Sequence, residues 1–130
     1  MKGLDTNVLV RYLAQDDPDQ SRKANSLLQD AASHGERCFI NSVVLCELVW
    51  VLRGAYGYEK DETCMVIDKL LSTVEFSIED KELAYRALED YRSGGDFADH
   101  LIGWRNQKAG CDTTVTFDRN LKSSRRFTVL

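Results

Sequence analysis

The longest apolar stretch of this chain, Val43 to Leu52, has a carboxylate, Glu47, set inside it. That arrangement removes most of what such a stretch can otherwise become. The run is too short to cross a bilayer, and it is interrupted besides. A carboxylate in that setting must be paired, protonated, turned to solvent or bound to a cation. No lysine or arginine lies within a helical turn of Glu47.

The remaining apolar segments are shorter still. Cys38-Phe39-Ile40, Val74-Glu75-Phe76, Thr114 to Phe117 and Phe127 to Leu130 read as strands. They are apolar rather than alternating, as expected where both faces of a sheet are covered. Helical patterns separate them. Val8, Leu9, Tyr12 and Leu13 have helical spacing after a short apolar start at Leu4. Asp17-Pro18 opens a helix that runs to about Ser33 and stops at His34-Gly35. Asn41-Ser42 caps the apolar helix through about Arg53, and the loop Gly54 to Tyr58 follows. Further helices are expected from Lys60 to Leu71, carrying Met65, Ile67, Leu70 and Leu71, and from Glu79 to Tyr91. The latter has Leu83, Ala84, Ala87, Leu88 and Tyr91 on one stripe. Ser93-Gly94-Gly95 breaks it, and Asp96 to Lys108 is helical again. The alternation predicts an α/β fold, a three-layer α/β/α sandwich with a mostly parallel central sheet.

The 130 residues are enough for one domain with a real core, 1–130, and show no repeat or linker. With 43% apolar and 29% charged residues the composition is that of a globular domain. There is no signal-peptide pattern, so a cytoplasmic protein is expected, with no membrane association. Cys38, Cys46, Cys64 and Cys111 form no C-x-x-C pair and read as free, partly buried thiols. Neither His34 nor His100 has ligand-like spacing to a cysteine, which argues against zinc. The net charge of −4 argues mildly against a nucleic-acid partner. Its distribution weakens that argument, because Arg119, Lys122, Arg125 and Arg126 follow one another with no acid among them. On its own this basic tail reads as solvated surface.

Four acids stand at the edges of apolar runs or inside one: Asp5, Glu47, Asp99 and Asp118. In open parallel α/β sheets, ligands bind beyond the carboxyl ends of the strands. Asp5 and Asp118 each directly follow a strand, Glu47 is on the second turn of the helix after Cys38–Ile40, and Asp96 and Asp99 open a later helix. Singly, most have a plainer reading. Asp5, Asp96 and Asp118 can cap helices, and Asp99 can answer a helix dipole. A cap cannot explain Glu47; an exposed edge of its helix can. Jointly, the four suit a hard divalent cation with oxygen ligands, and a hydrolase acting on a phosphate ester. Asn7 can hold a carboxylate or a water near it, Thr116 can orient Asp118 or a phosphate, and Thr6 reads as a local cap. His100 points about 100° around the helix from Asp99 and reads as surface or interface, not as a base.

Four segments carry a resemblance: Leu4-Asp5-Thr6-Asn7-Val8-Leu9, Val44-Leu45-Cys46-Glu47-Leu48, Asp96-Phe97-Ala98-Asp99-His100-Leu101-Ile102 and Val115-Thr116-Phe117-Asp118. In order and spacing, over nearly the whole chain, they resemble a PIN-domain nuclease, and among these the VapC-type toxins of toxin–antitoxin pairs. The resemblance implies a Mg²⁺- or Mn²⁺-dependent endoribonuclease with Asp5, Glu47, Asp99 and Asp118 as catalytic, metal-binding acids. Asp96, Asn7 and Thr116 are then auxiliary. Histidine at position 100 departs from the alanine common there. The implied chemistry is attack by metal-activated water on the scissile phosphate, leaving 5′-phosphate and 3′-hydroxyl ends. The resemblance also implies an RNA substrate, a homodimer, and a small VapB-like antitoxin whose tail enters a groove, with a larger assembly of the two. Val49, Trp50, Leu52, Tyr56 and Tyr58 can line such a groove or dimer face; singly, each reads better as core.

Three other readings compete. A haloacid-dehalogenase-like phosphatase wants an acid two residues after Asp5, where this chain has Asn7. A non-catalytic metal-binding module is disfavoured by the full acid set. A PIN-like DNA nuclease differs in nothing the residues themselves show, since only the toxin resemblance favours RNA.

Overall fold

Parallel strands need a long crossover between them, and short crossover-linked strands organise this chain. Every strand pairing is parallel. The computed structural model describes residues 1–130 and divides into two units, Met1–Glu79 and Asp80–Leu130. The fold class is α/β with parallel sheet, as the alternation predicts.

The first unit runs β1 (Lys2–Gly3), α1 (Thr6–Ala14), α2 (Pro18–Ser33), β2 (Cys38–Ile40), α3 (Ser42–Gly54), α4 (Lys60–Ser72) and β3 (Phe76–Ile78). Its sheet has the order β1-β2-β3, with Lys2 opposite Cys38 and Cys38 opposite Phe76. Each crossover holds two helices. The helix starts are local chemistry. The Asp17 carboxylate accepts the Gln20 N–H, with Pro18 in the first turn, and the Asn41 side chain accepts the Val44 N–H. Leu9, Ile40, Leu45, Leu48, Leu52, Ile67 and Leu71 are almost wholly buried.

Two expectations are corrected in this unit. The third strand is Phe76–Ile78 rather than Val74–Phe76, and Val74 is exposed. Pairing decides this: Cys38 and Ile40 fix which residues lie opposite them, and the register continues to Ile78. Met65 is not part of the apolar face of α4; it is 71% exposed.

The second unit runs α5 (Lys81–Ser93), α6 (Phe97–Lys108), β4 (Thr114–Thr116), a 3₁₀ turn (Arg119–Leu121) and β5 (Phe127–Val129). β4 pairs with β5, Thr114 opposite Phe127. α5 begins two residues later than expected. Glu79 is still occupied with the first unit's sheet, donating its N–H to Ile40 O and accepting the Ser42 N–H on its carboxylate. Asp80 then takes a left-handed conformation, φ 46, before the helix starts. Ala84, Ala87, Leu88 and Tyr91 form the buried stripe of α5, and Tyr91 meets Phe97 of α6 edge to face at 6.2 Å. Gly103 admits β5 to α6: a Cβ there would lie 2.8 Å from the Phe127 ring.

The basic tail is not all solvated surface. Arg126 stacks on Trp104, its Cζ 3.9 Å from the ring centroid, and ion-pairs with Asp90. Trp104 Nε1–H donates to the same carboxylate at 2.8 Å. His100 is also corrected, being buried rather than on the surface. It shares the apolar face of α6 with Phe97, Leu101 and Trp104, at the spacing i, i+3, i+4, i+7. Cysteines 38 and 64 are buried, Cys111 is exposed, and no disulfide joins any of the four. No helix is long and apolar enough to cross a membrane.

Candidate active site

The candidate acids fall in both units and are built differently in each. In the first, Leu4 N–H donates to Phe39 O at 2.9 Å, so the sheet holds the chain to the residue before Asp5. Asp5 then leaves in an extended conformation as the N-cap of α1, its carboxylate accepting the Thr6 N–H at 2.8 Å. The cap reading of Asp5 therefore holds, and it leaves the second carboxylate oxygen available. Thr6 is buried, and its hydroxyl donates to Glu47 Oε1 at 2.8 Å. Glu47 is on α3, whose register is set by the Asn41 cap and by burial of Val44, Leu45, Leu48 and Val49. Thr6, next in the chain to Asp5, thus brings Asp5 and Glu47 into one neighbourhood. Reading Thr6 as a local cap missed this. The available signal was a threonine placed between an acid and an apolar helical stripe. Asn7 is exposed and makes no hydrogen bond to protein.

In the second unit Asp96 holds the N-cap position of α6, φ −114 and ψ 140, yet its side chain makes no capping bond. The reason for the acid there is therefore not the cap. Asp99, one turn into α6, is half-buried. Burial, then the negative charges of Asp96 and Asp118, push its carboxyl above the ordinary 3.8. Asp96 and Asp118 are thus each near enough to Asp99 for their charges to act on it. Asp118 follows β4 and starts the 3₁₀ turn, accepting the Asn120 N–H at 2.9 Å. Its own N–H donates to Thr116 Oγ1 at 3.0 Å, so Thr116 orients the Asp118 backbone. His100 Nε2 lies 2.7 Å from the Gly94 carbonyl and therefore carries the proton of that bond. Gly95, φ 78, must be glycine, since a Cβ would sit 2.8 Å from that nitrogen. Together they fix the turn that presents Asp96.

The residues can be tested against a divalent cation. All four acids offer carboxylate oxygen, the donor that Mg²⁺ and Mn²⁺ prefer. None of Asp5, Glu47, Asp99 and Asp118 is ion-paired with a lysine or arginine. Glu47 receives a neutral hydroxyl, and Asp99 meets the like charges of Asp96 and Asp118, opposed by a smaller favourable contribution from His100. That is a deficit of positive charge, and a cation relieves it. By itself, neither unit gathers three metal-ligating side chains into a cluster.

Of the expected groove residues, Val49 and Leu52 are core and Trp50 is 55% exposed. Tyr56 is engaged elsewhere, its hydroxyl donating to Asp16 at 2.6 Å and accepting from Arg11 at 3.1 Å.

The chain is 28% identical over 123 residues to a VapC ribonuclease of Aquifex aeolicus, covering 94% of this chain and 90% of that protein. The PIN domain model matches residues 3–126, running through both units and all four acids. The chain belongs to the PIN-domain family.

Proposed function

We propose that the protein is a Mg²⁺- or Mn²⁺-dependent endoribonuclease, the toxin of a toxin–antitoxin pair. In this reading residues 1–130 act as a single nuclease domain, with Asp5, Glu47, Asp99 and Asp118 jointly holding the metal. The observation that carries it is the charge deficit: four acids within the span the family model matches, none of them paired with a base. The similarity to a protein named a ribonuclease supports RNA as the substrate.

A divalent ion held there supplies a water activated for attack and offsets charge on the phosphate. The chain's own residues do the rest. Thr6 pins the Glu47 carboxylate by one oxygen, leaving the other for the metal. Asp5 spends one oxygen on the start of α1 and keeps one. Asp96 raises the negative charge beside Asp99 and so strengthens the pull on a cation. Thr116 holds Asp118, and Asn7, unpartnered beside Asp5, is placed to hold water or phosphate. No side chain need attack covalently.

An antitoxin partner has a suitable surface in the first unit. Val8, Ala24 and Leu27 floor a groove of about 430 Å³, with Asn7 at its lining and Arg11 and Lys23 as its charges. An acidic amphipathic segment complements such a groove. Homodimerisation, a larger assembly with the antitoxin and a cytoplasmic location complete the proposal.

The test is cleavage of end-labelled total and transfer RNA by purified protein in Mg²⁺, Mn²⁺ or EDTA. The expected result is metal-dependent cutting that leaves 5′-phosphate and 3′-hydroxyl ends. A 2′,3′-cyclic phosphate end, or cutting that survives EDTA, overturns it. Cutting of single-stranded DNA but not RNA moves the assignment to a DNA nuclease.

A further inference from the structure

A second feature of the Asp80–Leu130 unit is not used by the acids. A crevice of about 390 Å³ is lined by Gly95 and His100 from the α5–α6 turn, and by Asn120, Ser123, Arg125 and Arg126 after β4. Its residues alternate with the candidate acids along the chain. Gly95 precedes Asp96, His100 follows Asp99, and Asn120 is two residues beyond Asp118. Two separate segments, 95–100 and 118–120, therefore carry both candidate acids and crevice wall.

Of the charged residues that line the crevice, Asp90 is acidic and Arg125 and Arg126 are basic. Residues 119–126 hold Arg119, Lys122, Arg125 and Arg126 and no acid. Arg126 is neutralised by Asp90 and fixed against Trp104. Arg125 is exposed and has no carboxylate partner, so its charge is available. Two nitrogens belonging to crevice residues, His100 Nδ1 and Arg126 Nε, are buried without a hydrogen-bond partner. Of the two, only Arg126 Nε–H is a donor; with Nε2 protonated toward Gly94, His100 Nδ1 is an acceptor and offers an anion nothing. Hydroxyl, amide and guanidinium donors around one available cation suit a phosphate, which accepts through several oxygens.

We propose that this crevice is a phosphate subsite that receives the RNA backbone one step away from the phosphate being cut. The inference rests on the nuclease reading and deepens it. Arg125 supplies the charge, Asn120 and Ser123 supply neutral donors, and Arg126, held by Trp104 and Asp90, forms the fixed wall. A polyanion bridging the metal acids and this crevice is positioned at two points, which sets which bond faces the acids.

The test is fluorescence anisotropy of a labelled single-stranded RNA twelve-mer of mixed sequence, in Ca²⁺ buffer, across a salt series. Cleavage of total RNA in Mn²⁺ is run on the same samples. Arg125→Gln is expected to weaken binding about five-fold at low salt. It should also make the slope of log affinity against log salt shallower by about 0.7, the value for one phosphate on a single strand. Lys81→Gln, an exposed base of the same unit outside the crevice, should change neither. Equal behaviour of Arg125→Gln and Lys81→Gln, with wild type still binding and cutting, overturns the subsite and leaves the nuclease standing. Wild type that neither binds nor cuts overturns both.

Discussion

Glu47 and Asp99 are both acids near the start of a helix, and the protein holds them in opposite ways. Glu47 is exposed, and one of its oxygens is pinned by the Thr6 hydroxyl, a bond from α1 to α3 across 41 residues of sequence. Asp99 is half-buried, makes no hydrogen bond, and faces the charges of Asp96 and Asp118. The first arrangement spends a neutral donor to fix a carboxylate's direction. The second stores repulsion that a cation would release. One site can need both: direction to set coordination geometry, and excess negative charge to draw the ion.

The contrast can be broken in order of expected effect. The largest is on activity. Glu47→Gln and Asp99→Asn should each lower the initial rate of RNA cleavage by about 100-fold or more, since each removes a charge the reaction depends on. A variant that retains most of its rate removes that acid from the site.

Next is the hydroxyl that distinguishes Glu47. Thr6→Val should raise the Mn²⁺ concentration needed for half-maximal cleavage about ten-fold. It should cost about 1 kcal/mol in a denaturant melt, because a buried donor is lost. Thr6→Ser should restore both. If Thr6→Val changes stability alone, the hydroxyl supports packing and not the acid.

Stability in the absence of metal should separate the two acids by sign. Asp99 has a folded-state carboxyl raised above 3.8, so between that pH and the raised value the folded chain binds more protons than the unfolded one. Stability therefore falls as pH rises through that window, and at neutral pH the ionised Asp99 is a burden. Asp99→Asn should melt at a higher temperature than wild type at pH 7 in EDTA, and the difference should vanish near pH 3. Glu47→Gln should not be stabilised. A lower melting temperature for Asp99→Asn would show that its carboxylate is satisfied in the fold.

The smallest effect concerns Asp99's neighbour. Asp96→Asn removes a charge that raises the Asp99 carboxyl, so the acid limb of the cleavage profile should move to lower pH. An unmoved limb would assign that limb to another group.

What was legible in the sequence was whatever local chemistry decides. Asp17-Pro18 and Asn41-Ser42 announced α2 and α3 because a cap and the first helical turn are neighbours in the chain. The places of Asp5, Asp96 and Asp118 were readable because each follows a strand or opens a helix. What was not legible depended on partners distant in sequence. β3 lies two residues beyond the apolar cluster at Val74 because Cys38 and Ile40 set its register. Thr6 looked like a cap until α3 placed Glu47 against it. His100 looked exposed beside Asp99, but its ring turns to the Gly94 carbonyl and the apolar face of α6. Arg126 read as tail surface until Trp104 and Asp90, on two other helices, gave it a seat.

The most direct test of the central claim is a Mn²⁺ titration followed by the paramagnetic resonance signal of the free ion, on wild type, Glu47→Gln and Asp99→Asn. The account predicts that wild type takes up Mn²⁺ and that each variant loses at least about ten-fold in affinity, because both acids serve the same ion-dependent reaction. Wild-type uptake in both variants, or in either one alone, would contradict it.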